Sequence, residues 1–508
     1  ITLRHLLSHT AGFEERLGGL FMDPGRDIPP LGEALTDPPE QIFASGTTPA
    51  YSNYGNALAG YVVERVTGMD FDEYAATRIF EPLGMDTATL AQPLPEELAG
   101  QMATGYHYRG SEPVPFEHVG IPPAGSMSAA APDMSAFMLA HLGVDAEADD
   151  GEAAPAFLSP ESVHAMQQPA FGEQTLGGLA AAGPRTALGW YEVDRNGHRI
   201  VGYGGDTIAF HAELQIYPEQ GTGIYVALNS AGVRPQSTGV IREQVMHGFA
   251  DRYFPTAGEG AAGAGAQGSG SSGEDASGSG SAAEQATDTA VEHAQVLAGT
   301  YMPTRTVESN FTRLYFALSP ITVRATDEGI ISSAALTDAA GLPLHLVETE
   351  PWVWQEVGGQ YRIAADVADG QVRAVGVAPM LALEPMPASL AALPLVLVGA
   401  LAVLVIALVG WPVAALVRRR YGVRLEMTGA RRRWRRVSMA AVGLALAAAA
   451  AWAMVAVPMT RLGEVPGWLI RLAQGLTLLG ALGVVPAAAR AVTSARERRW
   501  WALAGDVL

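Results

Sequence analysis

Three short stretches carry residue types that can do chemistry. In TTPAYSNYGN, Tyr51 and Asn53 stand two positions apart where a Pro-containing loop enters a run with helical spacing. A phenol can pass a proton and a carboxamide can hold a substrate amide. With an ordinary pKa near ~10, however, the phenol needs positive charge close by. Ser52 and Asn53 are also the residue types of a helix N-cap, so the stretch reads as a cap as well. In VGYGGDTIAF, Gly204 and Gly205 lie between Tyr203 and Asp206; such glycines either admit a ligand close to the backbone or make a turn. In LRHLLSHTAGF, His5 and His9 are four residues apart, which on a helix places them on one face. A zinc protease helix would carry Glu directly after the first His, and here that residue is Leu6. The expectation is a helix-end pair bonded to backbone, with no metal.

The elements that must position these residues follow from periodicity. LRHLLSHT, YGNALAGYVVERVTG, FDEYAATRIFEPLG and MSAFMLAHLG repeat their apolar residues at helical spacing. TALGWYEVDR, HRIVGYGG, FHAELQIYPE and GIYVALNS alternate like short antiparallel strands between tight turns. Strands grouped beside helices predict an α+β layered domain over 1–255. Residues 256–288 are a Gly/Ala/Ser-rich tract too poor in apolar surface to fold, hence a linker. Beyond it, 289–387 carries alternating runs such as RLYFAL, HLVETE, WVWQEV and QYRIAADV, which predict a small all-β unit. Asn310-Phe311-Thr312 matches a glycosylation sequon, a triplet common by chance.

Residues 388–508 form a membrane region, with apolar runs over about 389–417, 438–459 and 468–489. Each is long enough for a helix to cross ~30 Å of hydrocarbon. Arg418 to Arg420 and Arg431 to Arg436 fill the first connection, and Arg490, Arg496, Arg498 and Arg499 the tail, whereas the second connection holds only Arg461 and Glu464. Basic loops stay on the cytoplasmic side, so the C-terminus is expected inside and everything before residue 389 outside. Trp411, Trp468 and Trp500 fit interfacial anchors, and the scarcity of ionisable groups within the spans points to an anchor rather than a transport path. Residues 1–385 hold 17 Arg against 48 acids, and 386–508 hold 15 Arg against 4 acids. An acidic front excludes nucleic acid as a partner; the expected partners are a small-molecule or peptide substrate and the lipid bilayer. The chain has no Cys and no Lys, so thiolate and lysine chemistry are both excluded.

Six segments, LRHLLSHTAGF, AYSNYGNALAGYVVERVTG, IFEPLGMDTATL, PPAGSMSAAAPDMSAFML, LGWYEVDRNGHRIVGYGGDT and YVALNS, occur in the order and spacing of β-lactamase-related serine hydrolases. The chain resembles the class C β-lactamase, D-alanyl-D-alanine carboxypeptidase and esterase-like group of penicillin-recognising proteins over about 1–250. The resemblance implies a β-lactamase/transpeptidase-like fold, incomplete at its N-terminus, with a lipocalin-like β-domain and membrane tail appended. It implies a Ser nucleophile in Ser-x-x-Lys that forms an acyl-enzyme on an amide, lactam or ester carbonyl, without a cofactor. Tyr51 and Asn53 match Tyr-x-Asn, as proton shuttle and substrate contact. Tyr203-Gly204-Gly205 matches the third motif, usually Lys-Thr-Gly or His-x-Gly, and Asp206 would lend its N–H to an oxyanion hole. Tyr203 in place of a cation tilts the expected substrate towards neutral esters, and Ala209 stands where relatives commonly have Gly. Ser-x-x-Lys cannot occur in a chain without Lys, so the expectation is that the nucleophile helix lies upstream of Ile1 and that this fragment is inactive by itself. The alternative is a non-catalytic relative that binds cell-wall peptides or partners.

Overall fold

A computed structural model describes residues 1–16, 18–22, 25–144, 157–233, 237–256, 289–338, 341–423, 429–459, 465–488 and 492. The tract expected as a linker lies, but for Thr256, outside the described residues, as do Arg461, Glu464, the Arg of the tail and Trp500. The chain divides into two units, 1–387 and 388–508.

The first unit begins with α1, Leu3–Leu7, capped by Thr2. The main helix of its N-terminal half is α2, Asn53–Thr67, which opens on Ser52 and ends at Gly68 in the left-handed conformation. Helix α3 spans Ala131–His141 and α4 spans Ser237–Tyr253. Four antiparallel strands stand side by side in chain order: β1, Tyr191–Glu192; β2, Val201–Asp206; β3, His211–Tyr217; β4, Thr222–Leu228. Because side chains alternate along a strand, the sheet has two apolar faces. Val201, Leu214 and Ile216 pack with Trp190 and with Met138 of α3. Ile200 and Tyr217 pack on the other face with Ala250 of α4. The predicted α+β layering is therefore a helix–sheet–helix sandwich.

Residues 299–385 close into an eight-stranded antiparallel barrel. Its strands are β5, Gly299–Pro303; β6, Ile321–Ala325; β7, Ile331–Thr337; β8, Pro343–Glu350; β9, Val353–Glu356; β10, Arg362–Ala368; β11, Gln371–Ala378; and β12, Leu381–Pro385. They follow one another in order and β12 closes on β5. Two helices depart from the all-β expectation. Helix α5, Ala290–Leu297, sends Ala294 and Leu297 into the barrel core beside Trp354, Ile331, Leu346 and Ile363. RLYFAL, expected as a strand, is a short helix over Arg313–Ala317. The reason is local: Asn310 accepts the Thr312 N–H at 3.0 Å and the Arg313 N–H at 3.1 Å, winding the chain into a turn before any strand can start.

The second unit consists of apolar helices α6, Leu393–Arg420; α7, Gly429–Met459; and α8, Gly467–Ala481. Three stretches, Ala388–Arg420, Arg432–Val457 and Gly467–Ala488, are long and apolar enough to cross a membrane. Small residues let α7 and α8 approach: a Cβ on Gly480 would lie 3.2 Å from the Ala445 backbone. Trp452 donates its indole N–H to Thr477 across that contact at 2.9 Å.

Candidate active site

In the Tyr51-Ser52-Asn53 stretch the capping residue is the middle one. Ser52 is the N-cap: its hydroxyl accepts the Gly55 N–H at 3.1 Å. That leaves Asn53, first residue of α2, and Tyr51, just outside it, free of capping duty. The Tyr51 hydroxyl donates to Asn53 Oδ1 at 3.3 Å.

The two histidines do not share a helical face. Helix α1 stops at Leu7, the chain enters the left-handed region at His9 (φ 53°), and only His5 lies on the helix. His5 Nδ1 accepts the Thr2 N–H at 3.3 Å. His9 Nδ1 accepts the Ser52 N–H at 3.4 Å, and its ring lies 4.4 Å from that of Tyr51. Burial, assisted by the positive charge of Arg305, pushes its pKa down to about 3, so His9 stays neutral. Both histidines serve the backbone, and His9 props the first residue of the site.

Strand β2 brings up the second stretch. Tyr203 pairs with Leu214 and Asp206 with His211 along β3. Tyr203 stacks on Tyr191 at 4.6 Å and its hydroxyl lies close enough to those of Tyr51 and Tyr191 to affect both, so three phenols neighbour one another. Burial, followed by the neighbouring Tyr203 hydroxyl, drives both Tyr51 and Tyr191 well above the usual phenol range. Gly205 shares the Tyr203 face, and a Cβ there would meet nothing within 4 Å, so the backbone has open ground above it. Gly204 and Asp206 point to the α4 face. A Cβ on Gly204 would sit 3.5 Å from Arg242, and the Asp206 carboxylate takes bonds from Arg242 at 2.8 Å and His211 at 2.6 Å. Burial raises the Asp206 pKa, but the His211 bond and the Arg242 charge outweigh it and hold the carboxyl below its ordinary value. Its side chain is thus committed elsewhere, and only its backbone remains for the site.

The turn after β2 carries Ala209 where the resemblance led one to look for Gly, and Glu117 holds it. That carboxylate accepts from the Thr207 hydroxyl at 2.6 Å, the Ile208 N–H at 2.7 Å and the Ala209 N–H at 3.3 Å.

Two residues of the cluster give no local sequence signal. Glu15 is fully buried, accepts the Arg16 N–H at 2.9 Å, and neighbours the Asn53 side chain. Its other oxygen accepts from Arg305 Nε at 2.7 Å, and the same guanidinium lies 4.6 Å over the Tyr51 ring. Arg305 follows β5 of the barrel and lies 290 residues from Glu15, so no spacing rule could have paired them. The barrel also grips the approach to α2. Tyr51 N–H donates to Met380 O at 3.0 Å, Ala50 forms a bridge with Leu381, and Thr304 donates to Pro49 O at 2.5 Å.

Among the described residues no cluster of three or more His, Asp or Glu is arranged to hold a metal ion. Chemically, the site offers three neighbouring phenols, a carboxamide, an open strand backbone and the Arg305 cation.

The family described as "Beta-lactamase" matches residues 1–244. Penicillin-binding protein 4 of Amycolatopsis lactamdurans is 29% identical over 249 residues, covering 46% of this chain and 60% of that protein. Penicillin-binding protein 4* of Bacillus subtilis is 30% identical over 114 residues, covering 21% of this chain and 25% of that one. The chain thus spans 60% or less of the length of these relatives. Among solved structures, the octameric penicillin-binding protein homologue from Pyrococcus abyssi is 18% identical, with 76% of this chain and 78% of that chain covered and a TM-score of 0.37. A class C β-lactamase from Rhodobacter sphaeroides is 19% identical, with 49% and 73% covered and a TM-score of 0.35. Residues 1–244 are a domain of the β-lactamase family, in the fold of its serine hydrolases.

Proposed function

We propose that this chain belongs to a membrane-anchored serine hydrolase that acts through an acyl-enzyme on amide, lactam or ester carbonyls outside the cytoplasm. One observation supports the reading above others: at the mouth of α2 Tyr51 bonds to Asn53 and neighbours Tyr203, whose strand carries the open backbone at Gly205. In this reading a serine hydroxyl attacks the carbonyl carbon, and the carbonyl oxygen becomes an oxyanion that takes the Asp206 N–H. Tyr51 relays the hydroxyl proton to the departing amine or alkoxide, while Asn53 holds the acyl side chain. Water then cleaves the ester and frees the serine. The serine is not supplied by a Ser-x-x-Lys of these 508 residues, which contain no Lys. The basic connections around α6 and α7 favour a cytoplasmic C-terminus with the 1–387 unit outside.

The test uses the complete reading frame, expressed in membranes. A fluorophosphonate or fluorescent penicillin probe is expected to label the protein, with labelling lost on Ser→Ala at a Ser-x-x-Lys. A frame without that motif, unlabelled and inactive on esters, would establish the non-catalytic alternative.

A further inference from the structure

Tyr51 is surrounded by groups that oppose its ionisation. Burial, the Tyr203 hydroxyl and the Glu15 carboxylate all do so, and Arg305 acts in the other direction. The neighbouring ring of His9 is held neutral and adds no charge. At the third-motif position stands Tyr203, an uncharged side chain. The cation over the Tyr51 ring comes from the barrel, on a segment tied to the hydrolase domain at several points. Thr304 bonds to Pro49 O, the Glu15 N–H donates to Thr306 O at 2.9 Å, and Glu14 accepts the N–H groups of Glu308 and Ser309 at 2.7 and 2.9 Å. Within that frame the buried Glu15 fixes the guanidinium through Nε, leaving its plane over the phenol. An Arg so placed cannot serve as a base, since it stays protonated; what it contributes is fixed charge.

We propose that Arg305 is a positioning residue for Tyr51: the barrel supplies the cation against which this phenol exchanges its proton, and the barrel is a working part of the hydrolase site. The kinetic consequence rests on the hydrolase reading above; the electrostatic one does not.

The electrostatic test replaces Tyr51 with 3,5-difluorotyrosine, whose phenol is more acidic, in the full chain held in detergent micelles. 19F NMR follows its ionisation. Arg305→Gln is expected to raise the midpoint by about one pH unit, the effect of removing a charge a few ångströms away. Arg305→Lys, which keeps the charge, stays near the parent. Arg305→Gln leaves Glu15 buried without its cation, so the Glu15→Gln, Arg305→Gln double variant guards against misfolding; it also raises the midpoint, by less. A midpoint unmoved by Arg305→Gln, or moved equally by Arg305→Lys, overturns the proposal. In the complete enzyme, Arg305→Gln is expected to lower kcat about tenfold with little change in KM, and to cause no further loss in a Tyr51→Phe background. A loss of equal size in that background overturns the proposal as well. If the complete protein hydrolyses nothing, the hydrolase reading fails while the fluorine titration still decides the role of Arg305.

Discussion

Glu14 ties the barrel to the N-terminal domain, and removing it gives a quantitative test of how the two are joined. Its carboxylate is buried and accepts the Glu308 N–H at 2.7 Å, the Ser309 N–H at 2.9 Å and the Ser309 hydroxyl. Hydrogen bonds to a charged acceptor contribute about 1.5–3 kcal/mol each, and bonds that share one acceptor do not add fully. Glu14→Ala removes all three and leaves two amides searching for a partner. We expect the segment 304–310 to open about 3 kcal/mol more easily, close to a hundredfold in its opening equilibrium. Hydrogen exchange read by mass spectrometry suits this effect, because slowly exchanging amides report the opening equilibrium. Peptides covering 304–310 are expected to exchange about a hundredfold faster. Those covering β7 to β9, on the far side of the barrel ladder, are expected to keep their protection. Unchanged exchange at 304–310 would show that the segment is held by the barrel alone. A uniform loss over the whole barrel would show that Glu14 supports the fold and not the junction.

Three further outcomes follow from single observations. Gly12 has φ +85°, and a Cβ there would lie 2.1 Å from Phe43 O, so Gly12→Ala should fail to give folded protein; a normal thermal melt would refute this. Ser52→Ala removes the α2 cap and should cost about 1 kcal/mol in denaturant unfolding, with no loss if water replaces the hydroxyl. Glu14 and Glu15 should respond to acid in opposite senses. Burial raises Glu14, but the Ser309 and Glu308 bonds outweigh it and bring it below 4.5, so its stabilisation is present above 4.5 and is lost as pH falls through the lowered folded value. Burial raises Glu15 despite the Arg305 charge, so ionising it costs stability, and that cost disappears as pH falls through its raised value. Glu14→Gln should therefore flatten the acid limb of the stability profile below 4.5, and a limb as steep as the parent's would exclude Glu14 as its source.

What was legible in the sequence was whatever a local pattern encodes. Strands β2 to β4 and helices α2 and α3 announce themselves by alternation and by helical spacing, because each must bury one face. The apolar helices are legible by length alone. Tyr51 and Asn53 stood out as candidates because they lie where a loop enters a helix, and Tyr203 because two glycines follow it. RLYFAL misled because its apolar alternation spans only six residues, and the Asn310 turn ahead of it decides the conformation. Helix α5 was missed because AVEHAQVL is short and enters a barrel that the sequence does not outline beforehand. The pairing of His5 with His9 failed for a similar reason: four-residue spacing means one face only if the helix continues, and this one ends at Leu7. Glu15 and Arg305 lie beyond any local rule, since their contact exists only once two domains are docked.

The barrel's own interior limits what it can contribute. Eight strands enclose just enough room for packed side chains or for one small ligand. Here that space is taken by Trp354, Ile331, Leu346, Ile363 and Leu383, with Ala294 and Leu297 of α5 inserted among them. Helix α5 is also fixed by polar contacts: the fully buried Glu348 of β8 receives the His293 ring nitrogen at 2.5 Å and the Thr289 hydroxyl at 3.0 Å. Pulling α5 out would break both of these bonds to a fully buried carboxylate, which also accepts the Trp352 N–H at 2.8 Å. A barrel filled in this way meets the rest of its unit through its outer surface. The surface it presents to residues 1–255 is the stretch that bears Thr304, Arg305 and the Met380–Leu381 edge, which meets the chain from Pro49 to Tyr51. The barrel's packing and its contacts therefore lead to the same place, the phenol at the entrance to α2.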